Sequence, residues 1–319
     1  MKKITGGLIL IIIVLAALGT YNYFSTLENT VVIGYLPSDH HSALFVASEK
    51  QLYEKEGIRV QLVPFRAGPE VIEALKEGKI DVGYCGIAPV ITAIDNGVPI
   101  KIIASVNQEG SGLVVGKNSN IRNVGDLKNK TIAIPQKGSV QDVLLENLLK
   151  ENNISISDVN IIESEVPYMP RSLLLNKFDA FIAWEPYPSV AKIEENEKVL
   201  LYSGDIWNNQ PCCVVVTTDN YAKHKSDNLE KILKVHIEAT DFINSNKDEA
   251  ALIVSQKLGT NVEIEKEGLK HVEFVAIPSK EFIGNVLKFV KIQNQLGYIK
   301  KNFTEDQLFN FNISRTDSI

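Results

Sequence analysis

Twice along this chain a short run of consecutive apolar residues is followed at once by a segment with helical spacing, and that alternation admits few folds. Val31-Val32-Ile33-Gly34-Tyr35-Leu36 is almost wholly apolar, as a strand covered on both faces must be. The loop Pro37-Ser38-Asp39-His40-His41 follows. Ser42 to Glu56 then repeats Leu44, Phe45, Ala47 and Leu52 at helical intervals and ends on Gly57, where a C-terminal glycine sits. Arg59 to Phe65 reads as a second strand, and Pro69 to Gly78 as a helix opening on proline and glutamate. A third strand, Ile80-Asp81-Val82-Gly83-Tyr84, breaks at Cys85-Gly86 and feeds a helix through Ala88-Pro89-Val90. Such a break points backbone N–H groups into the space above a sheet edge, where open α/β sheets bind ligands. Ile100 to Val106 and Gly112 to Gly116 supply two more strands.

The second unit repeats the pattern. Thr131 to Ile134 is a strand, Pro135-Gln136-Lys137-Gly138-Ser139 a turn, and Val140 to Asn152 an amphipathic helix carrying Val143, Leu144, Leu148 and Leu149 on one side. Val159 to Ile162, Asp179 to Trp184 (stopping at Glu185-Pro186) and Val199 to Tyr202 are further strands, with a short helix over Pro170 to Asn176. Pro211-Cys212-Cys213-Val214-Val215-Val216 is strongly β-prone, and the chain beyond Asp227 is mostly helical. Two α/β units joined by an out-and-back connection predict two lobes with a ligand cleft between them. The crossings are expected near residues 113–118 and 203–214. Residues 29–115 and 206–319 then form lobe 1 with C-terminal helices, and 116–205 form lobe 2.

Composition narrows the function classes. A chain of 319 residues with 45% hydrophobic content is globular, and a formal charge of −6 with only five arginines, Arg59, Arg66, Arg122, Arg171 and Arg315, argues against nucleic acid as a partner. Lys2-Lys3, an apolar run from Ile4 to about Leu18, and the aromatics Tyr21, Tyr23 and Phe24 describe an export signal over residues 1–28. It is read as a retained anchor to the cell membrane, with cleavage after the small residues Ala17 and Gly19 as the alternative. Export makes the cysteines informative. There are three, Cys85, Cys212 and Cys213; the number is odd and two are adjacent, which disfavours a disulfide framework.

The order of motifs resembles one family. A Gly-x-Leu-Pro strand end, Gly78-Lys79-Ile80-Asp81-Val82-Gly83, Ala88-Pro89, Lys137-Gly138-Ser139 and Phe178-Asp179-Ala180-Phe181-Ile182-Ala183-Trp184-Glu185-Pro186 are together similar to the nitrate/sulfonate/taurine family of ABC-transporter substrate-binding proteins. The likeness runs from about Val31 to the C-terminal helices. It implies a bilobal α/β fold of the periplasmic-binding-protein type II class, hinged between doubly wound lobes. It also implies an extracytoplasmic protein that closes on a small-molecule ligand and passes it to an ABC permease and ATPase, with neither a catalytic role nor a cofactor. Carried onto this sequence, the ligand-facing positions are Ser38, Asp39, His40 and His41 after the first strand, Cys85 and Gly86 at the third-strand break, Gly138 and Ser139, Trp184 and Glu185, and Cys212 and Cys213.

Each of these residues also has a plain structural reading. Gly138-Ser139 opening a helix is either an anion cradle or a simple N-cap. Lys137 reads as a solvated loop charge. Glu185 at a cleft mouth repels nitrate or a simple sulfonate, so it either favours a cationic part of the ligand, pairs with Arg171 or Lys137, or lies on the surface. A lone buried cysteine is usually a small hydrophobe, and His40-His41 taken alone are loop residues. Taken together, all three cysteines and two of the five histidines map to one cleft. Thiolate and imidazole suit soft metals, so Cys85, Cys212 and Cys213 are expected to hold a soft metal, an organometal or a sulfur compound. The Cys212-Cys213 pair is similar to a branch of the family with paired cysteine and selenocysteine and a proposed organometal cargo. Two other classes compete: an enzyme resembling the pyrimidine-precursor (thiamine) synthases of this fold, whose longer cysteine-rich motif is missing here, and a membrane-anchored sensor, for which no output domain follows.

Overall fold

The computed structural model describes residues 30–311. The apolar leader read as an export signal lies outside the described residues, and among those described no helix is long and apolar enough to cross a membrane. In chain order the strands are β1 (Thr30–Tyr35), β2 (Arg59–Pro64), β3 (Val82–Gly86), β4 (Ile100–Glu109), β5 (Ser111–Val115) and β6 (Thr131–Ile134). They continue with β7 (Asn160–Glu163), β8 (Ala180–Trp184), β9 (Lys198–Tyr202), β10 (Pro211–Thr218) and β11 (Val272–Phe274). The helices that matter to the site are α1 (Ser42–Glu49), α2 (Gly68–Lys76), α3 (Ile87–Asp95), α4 (Val140–Glu151), α5 (Tyr187–Ile193), α6 (Ser226–Ser245), α7 (Val262–Gly268) and α8 (Lys280–Gln295).

The strands form two mixed sheets, one in the order β11-β4-β10-β3-β1-β2 and one in the order β7-β6-β8-β5-β9. Within the first, β1 is parallel to β2 and β3, while β10 is antiparallel to both β3 and β4. Within the second, β6 is parallel to β7 and β8, and β5 is antiparallel to β8 and β9. Each sheet's parallel strands are linked through helices, and one reversed strand at its heart, β10 or β5, marks where the chain passes between lobes. The apolar residues of β1, β3, β4 and β10 are buried against α1, α3, α6 and α8, and a separate apolar cluster joins β6 and β8 to α4.

Three local differences from the sequence reading have physical causes. The helix expected over 42–56 is two pieces, because Gln51 takes a left-handed conformation (φ 55°) and ends the first. The first crossing lies at Glu109–Gly110 rather than 113–118: positive φ at both (60° and 84°) turns the chain, and Ser111 already pairs with Trp184 in the second sheet. Cys85 and Gly86 are not a break after β3 but its last two residues, because β10 runs alongside and pairs Val214 with Cys85 and Cys213 with Gly86. The second crossing spans residues 203–210, between β9 and β10.

Candidate functional site

The centre of the site is made by a local irregularity in β10. In a regular strand, neighbouring side chains point to opposite faces, which would separate Cys212 from Cys213. Here Pro211 opposes Gln108 and Cys213 opposes Asn107, so Cys212 is an extra residue on its strand, and a compensating shift follows between Cys213 and Val214. Such a bulge re-aims a side chain. Both sulfurs consequently reach one imidazole: Cys212 Sγ is 3.4 Å and Cys213 Sγ 3.5 Å from His40 Nδ1, and the sulfurs are 3.9 Å apart.

His40 is held from behind by the crossing. Its Nε2 lies 2.7 Å from the carbonyl oxygen of Gly110, so Nε2 carries the hydrogen and Nδ1 faces the sulfurs. The same carbonyl accepts the Glu185 N–H at 2.9 Å, and the Asp39 N–H donates to the Glu185 carbonyl at 3.2 Å. One oxygen at the passage between the sheets thereby fixes a residue from each lobe. Gly110 has to be glycine on two counts: its φ is +84°, and a Cβ there would strike the His40 ring.

The two thiols are driven apart electrically. A hydrogen bond from Cys213 outweighs burial and, with the His40 charge and Asn107, brings the Cys212 thiol down from 9.0 to about 5. Burial, then the bond to Cys212 and its charge, push Cys213 well up. Burial alone would lower His40, yet the Cys212 sulfur, the Gly110 carbonyl and Glu185 together leave it raised. The cluster is therefore a Cys212 thiol shifted toward its thiolate, a protonated Cys213 thiol and a histidine whose pKa is raised by that sulfur, a soft donor set. Among the described residues, His40, Cys212 and Cys213 are the group whose donor atoms already lie within 4.8 Å of one another.

The third cysteine does not join them. Cys85 is fully buried, pairs with Val214 across the ladder and packs beside Gly68 in the apolar core, outside the group of donor atoms formed by His40, Cys212 and Cys213. Burial pushes its thiol up to about 12. The expected three-thiol set is replaced by two thiols and a histidine.

The sulfurs line a small cavity of about 30 Å³ between the lobes, together with Ser38, His40, His41, Gly86, Ser139, Trp184 and the unforeseen Gln141. That is room for an ion or one or two waters. Gly86 lets Val140 of the second lobe approach closely, forming its floor. A cavity of about 380 Å³ adjoins it through Leu36 and Trp184 and is lined by Phe65, Arg66, Gln136, Glu165 and Tyr187, a volume in the range of small-molecule pockets. The Trp184 N–H has no hydrogen-bond partner among the described residues. His41 is held through one ring nitrogen: its Nδ1 is within 3.0 Å of the Leu36 backbone nitrogen and 2.9 Å of its carbonyl oxygen, its Nε2 has no hydrogen-bond partner among the described residues, and burial drops its pKa to about 3.

The Gly138-Ser139 turn resolves toward the cap. Ser139 Oγ accepts the Asp142 N–H at 3.2 Å, the Gly138 N–H goes to Asp142 Oδ2 at 2.7 Å, and the Lys137 N–H to Glu163 Oε1 at 2.8 Å. The N–H groups of Lys137 and Gly138 thus already hold the protein's own carboxylates. Asp39 and Glu185 lie behind His40, outside the small cavity. Both are fully buried and share their surroundings with Glu265 of α7, which the sequence reading missed. Glu185 pairs with neither Arg171, which meets Glu195, nor Lys137; its Oε2 accepts the Ser189 N–H at 3.0 Å, and burial raises it to about 7. Burial, then Glu265 and Glu185, hold Asp39 well above the carboxylate range.

Comparison with known proteins agrees with this architecture. A relative from Bacillus subtilis (strain 168), whose name is that of an aliphatic sulfonates-binding protein, is 30% identical over 261 residues, covering 80% of this chain and 76% of its own. The solved ligand-binding component of an ABC-type import system from Staphylococcus aureus, with zinc bound, superposes with a TM-score of 0.81 at 18% identity, covering 91% of this chain and 99% of that one. The alkanesulfonate-binding protein SsuA from Xanthomonas axonopodis pv. citri, bound to MOPS, gives 0.77 at 20% identity, covering 89% and 97%. These structures share the bilobal periplasmic-binding-protein fold. Residues 27–258 match the model of the NMT1-like family, and the chain belongs to that family.

Proposed function

We propose that this protein is the extracytoplasmic substrate-binding component of an ABC importer of the nitrate/sulfonate/taurine type, carried at the membrane by its N-terminal segment and without a catalytic role. Lobe 1, built on the first sheet, and lobe 2, built on the second, close on the cargo, which then passes to a permease and its ATPase. The curated and structural relatives named for sulfonates and for ABC import support the transport role.

The cargo is a thiophile: a soft metal, an organometal or a sulfur compound held by Cys212 and Cys213 with His40. One observation carries this reading, the convergence of both sulfurs on His40 Nδ1 through the β10 bulge. No Lys or Arg lines the inner cavity and the N–H groups of Lys137 and Gly138 are spent on Glu163 and Asp142, so an anionic group of a ligand would be met in the adjoining cavity, where Arg66 lies. Titration of the reduced protein with mercuric ion, methylmercury and an alkanesulfonate, followed by thermal stability, tests it. A ligand at about 100 times its Kd stabilises the folded state by about 2.7 kcal/mol. Wild type and Cys85→Ser are expected to gain this from the mercurials, and Cys212→Ser/Cys213→Ser is not. Equal stabilisation of the double variant, or stabilisation by the sulfonate alone, refutes the assignment.

A further inference from the structure

Away from the cavity, one side chain of the C-terminal arm reaches across the lobes. Tyr298 follows α8, and its arm is tied to lobe 1: the Lys300 and Lys301 N–H groups each donate to Asp95 at 3.0 Å, and the buried Gln293 donates to the Ala88 carbonyl at 3.1 Å. The Tyr298 hydroxyl lies 2.7 Å from Asp142 Oδ2 and 2.7 Å from Glu146 Oε2, both on α4 of lobe 2. Asp142 is the residue whose backbone and side chain fix Ser139 and Gly138 at the cavity wall. The phenol therefore bonds to the same carboxylate that orders part of the cleft.

We infer that Tyr298 is a positioning residue for cargo capture: its hydroxyl latches lobe 1 to α4, holds the cleft shut over Cys212 and Cys213, and sets how often those thiols meet solvent. Three features make it a latch rather than ordinary packing. The bond joins elements 152 and 156 residues apart in sequence. It is a hydrogen bond to charge, the strong kind. It also sits at the rim, between cavities of about 440 and 380 Å³ that both have Tyr298 and Lys137 in their walls. This rests on the reading of the chain as two lobes that open; the test separates the two ideas.

The probe is iodoacetamide, with each cysteine followed by mass spectrometry in the full reduced protein. Cys212 and Cys213 are buried in the cleft and react when it opens, whereas Cys85 is buried within lobe 1 and reacts only on unfolding. Loss of one charge-assisted hydrogen bond raises the open population by about tenfold or more. Tyr298→Phe is therefore expected to speed modification of Cys212 and Cys213 at least tenfold while Cys85 keeps its wild-type rate. An unchanged rate at Cys212 and Cys213 overturns the latch, and so does a parallel rise at Cys85, which marks lost global stability. If wild-type Cys212 and Cys213 react only together with Cys85, the lobes do not open on their own, and the two-lobe motion itself is refuted.

Discussion

The division of charge between adjacent cysteines can be measured directly. Cys212 is expected to titrate near pH 5, while Cys85 stays protonated to about 12 and Cys213 titrates well above its ordinary 9.0. Thiolate ultraviolet absorbance against pH should thus show one early step worth a single thiolate. The largest support for that thiolate is the Cys213 hydrogen bond, followed by the His40 charge. A hydrogen bond to a charged group is worth about 1.5–3 kcal/mol, or about 1–2 pH units. At 3.4 Å, an imidazolium favours the thiolate by roughly 5 kcal/mol at an effective dielectric of about 20, before the desolvation that opposes it. Cys213→Ala should therefore move the step up by about 1–2 units, and His40→Ala by at least as much. Cys213→Ser, which keeps an O–H donor, should move it far less. A wild-type step near 9, or equal shifts in Cys213→Ala and Cys213→Ser, refutes the proposed hydrogen-bond and charge origin.

Two further outcomes follow from the same geometry. Glu185 is buried and raised from 4.5 to about 7, so between those values the folded protein binds more protons than the unfolded chain and stability falls as pH rises. Glu185→Gln removes that penalty, and denaturant titrations at pH 4.5 and 8 should show the fall reduced by about 3 kcal/mol; an unchanged pH slope contradicts it. Gly110→Ala forces a side chain into a left-handed conformation against His40, costing about 1–3 kcal/mol. It should also shift the Cys212 titration upward by displacing the imidazole, and a melting-temperature loss with no such shift would show that Gly110 does not position His40.

Much of the fold was legible because apolar runs and helix signals are local. Val31–Leu36, Thr131–Ile134 and Asp179–Trp184 all lie within a residue of observed strands, since a buried parallel strand needs an unbroken apolar run. The boundary at Gly110 was less visible, because Glu109 adopts positive φ without a glycine to announce it. At the site, the loop Ser38–His41 and the pair Cys212–Cys213 lie at the small cavity or beside it, but which thiols meet was not readable. Alternation along a strand assigns Cys212 and Cys213 to opposite faces and leaves Cys85 free to join either. The bulge that overrides alternation arises from the register of β10 against β4, a pairing between segments about a hundred residues apart, and no local pattern encodes it. Glu265 escaped for the same reason, since it reaches Asp39 only through the docking of α7. The chemistry therefore resides in tertiary register: a one-residue slip of β10 against β4 would turn its side chains to the opposite faces and dissolve the two-sulfur, one-imidazole donor set.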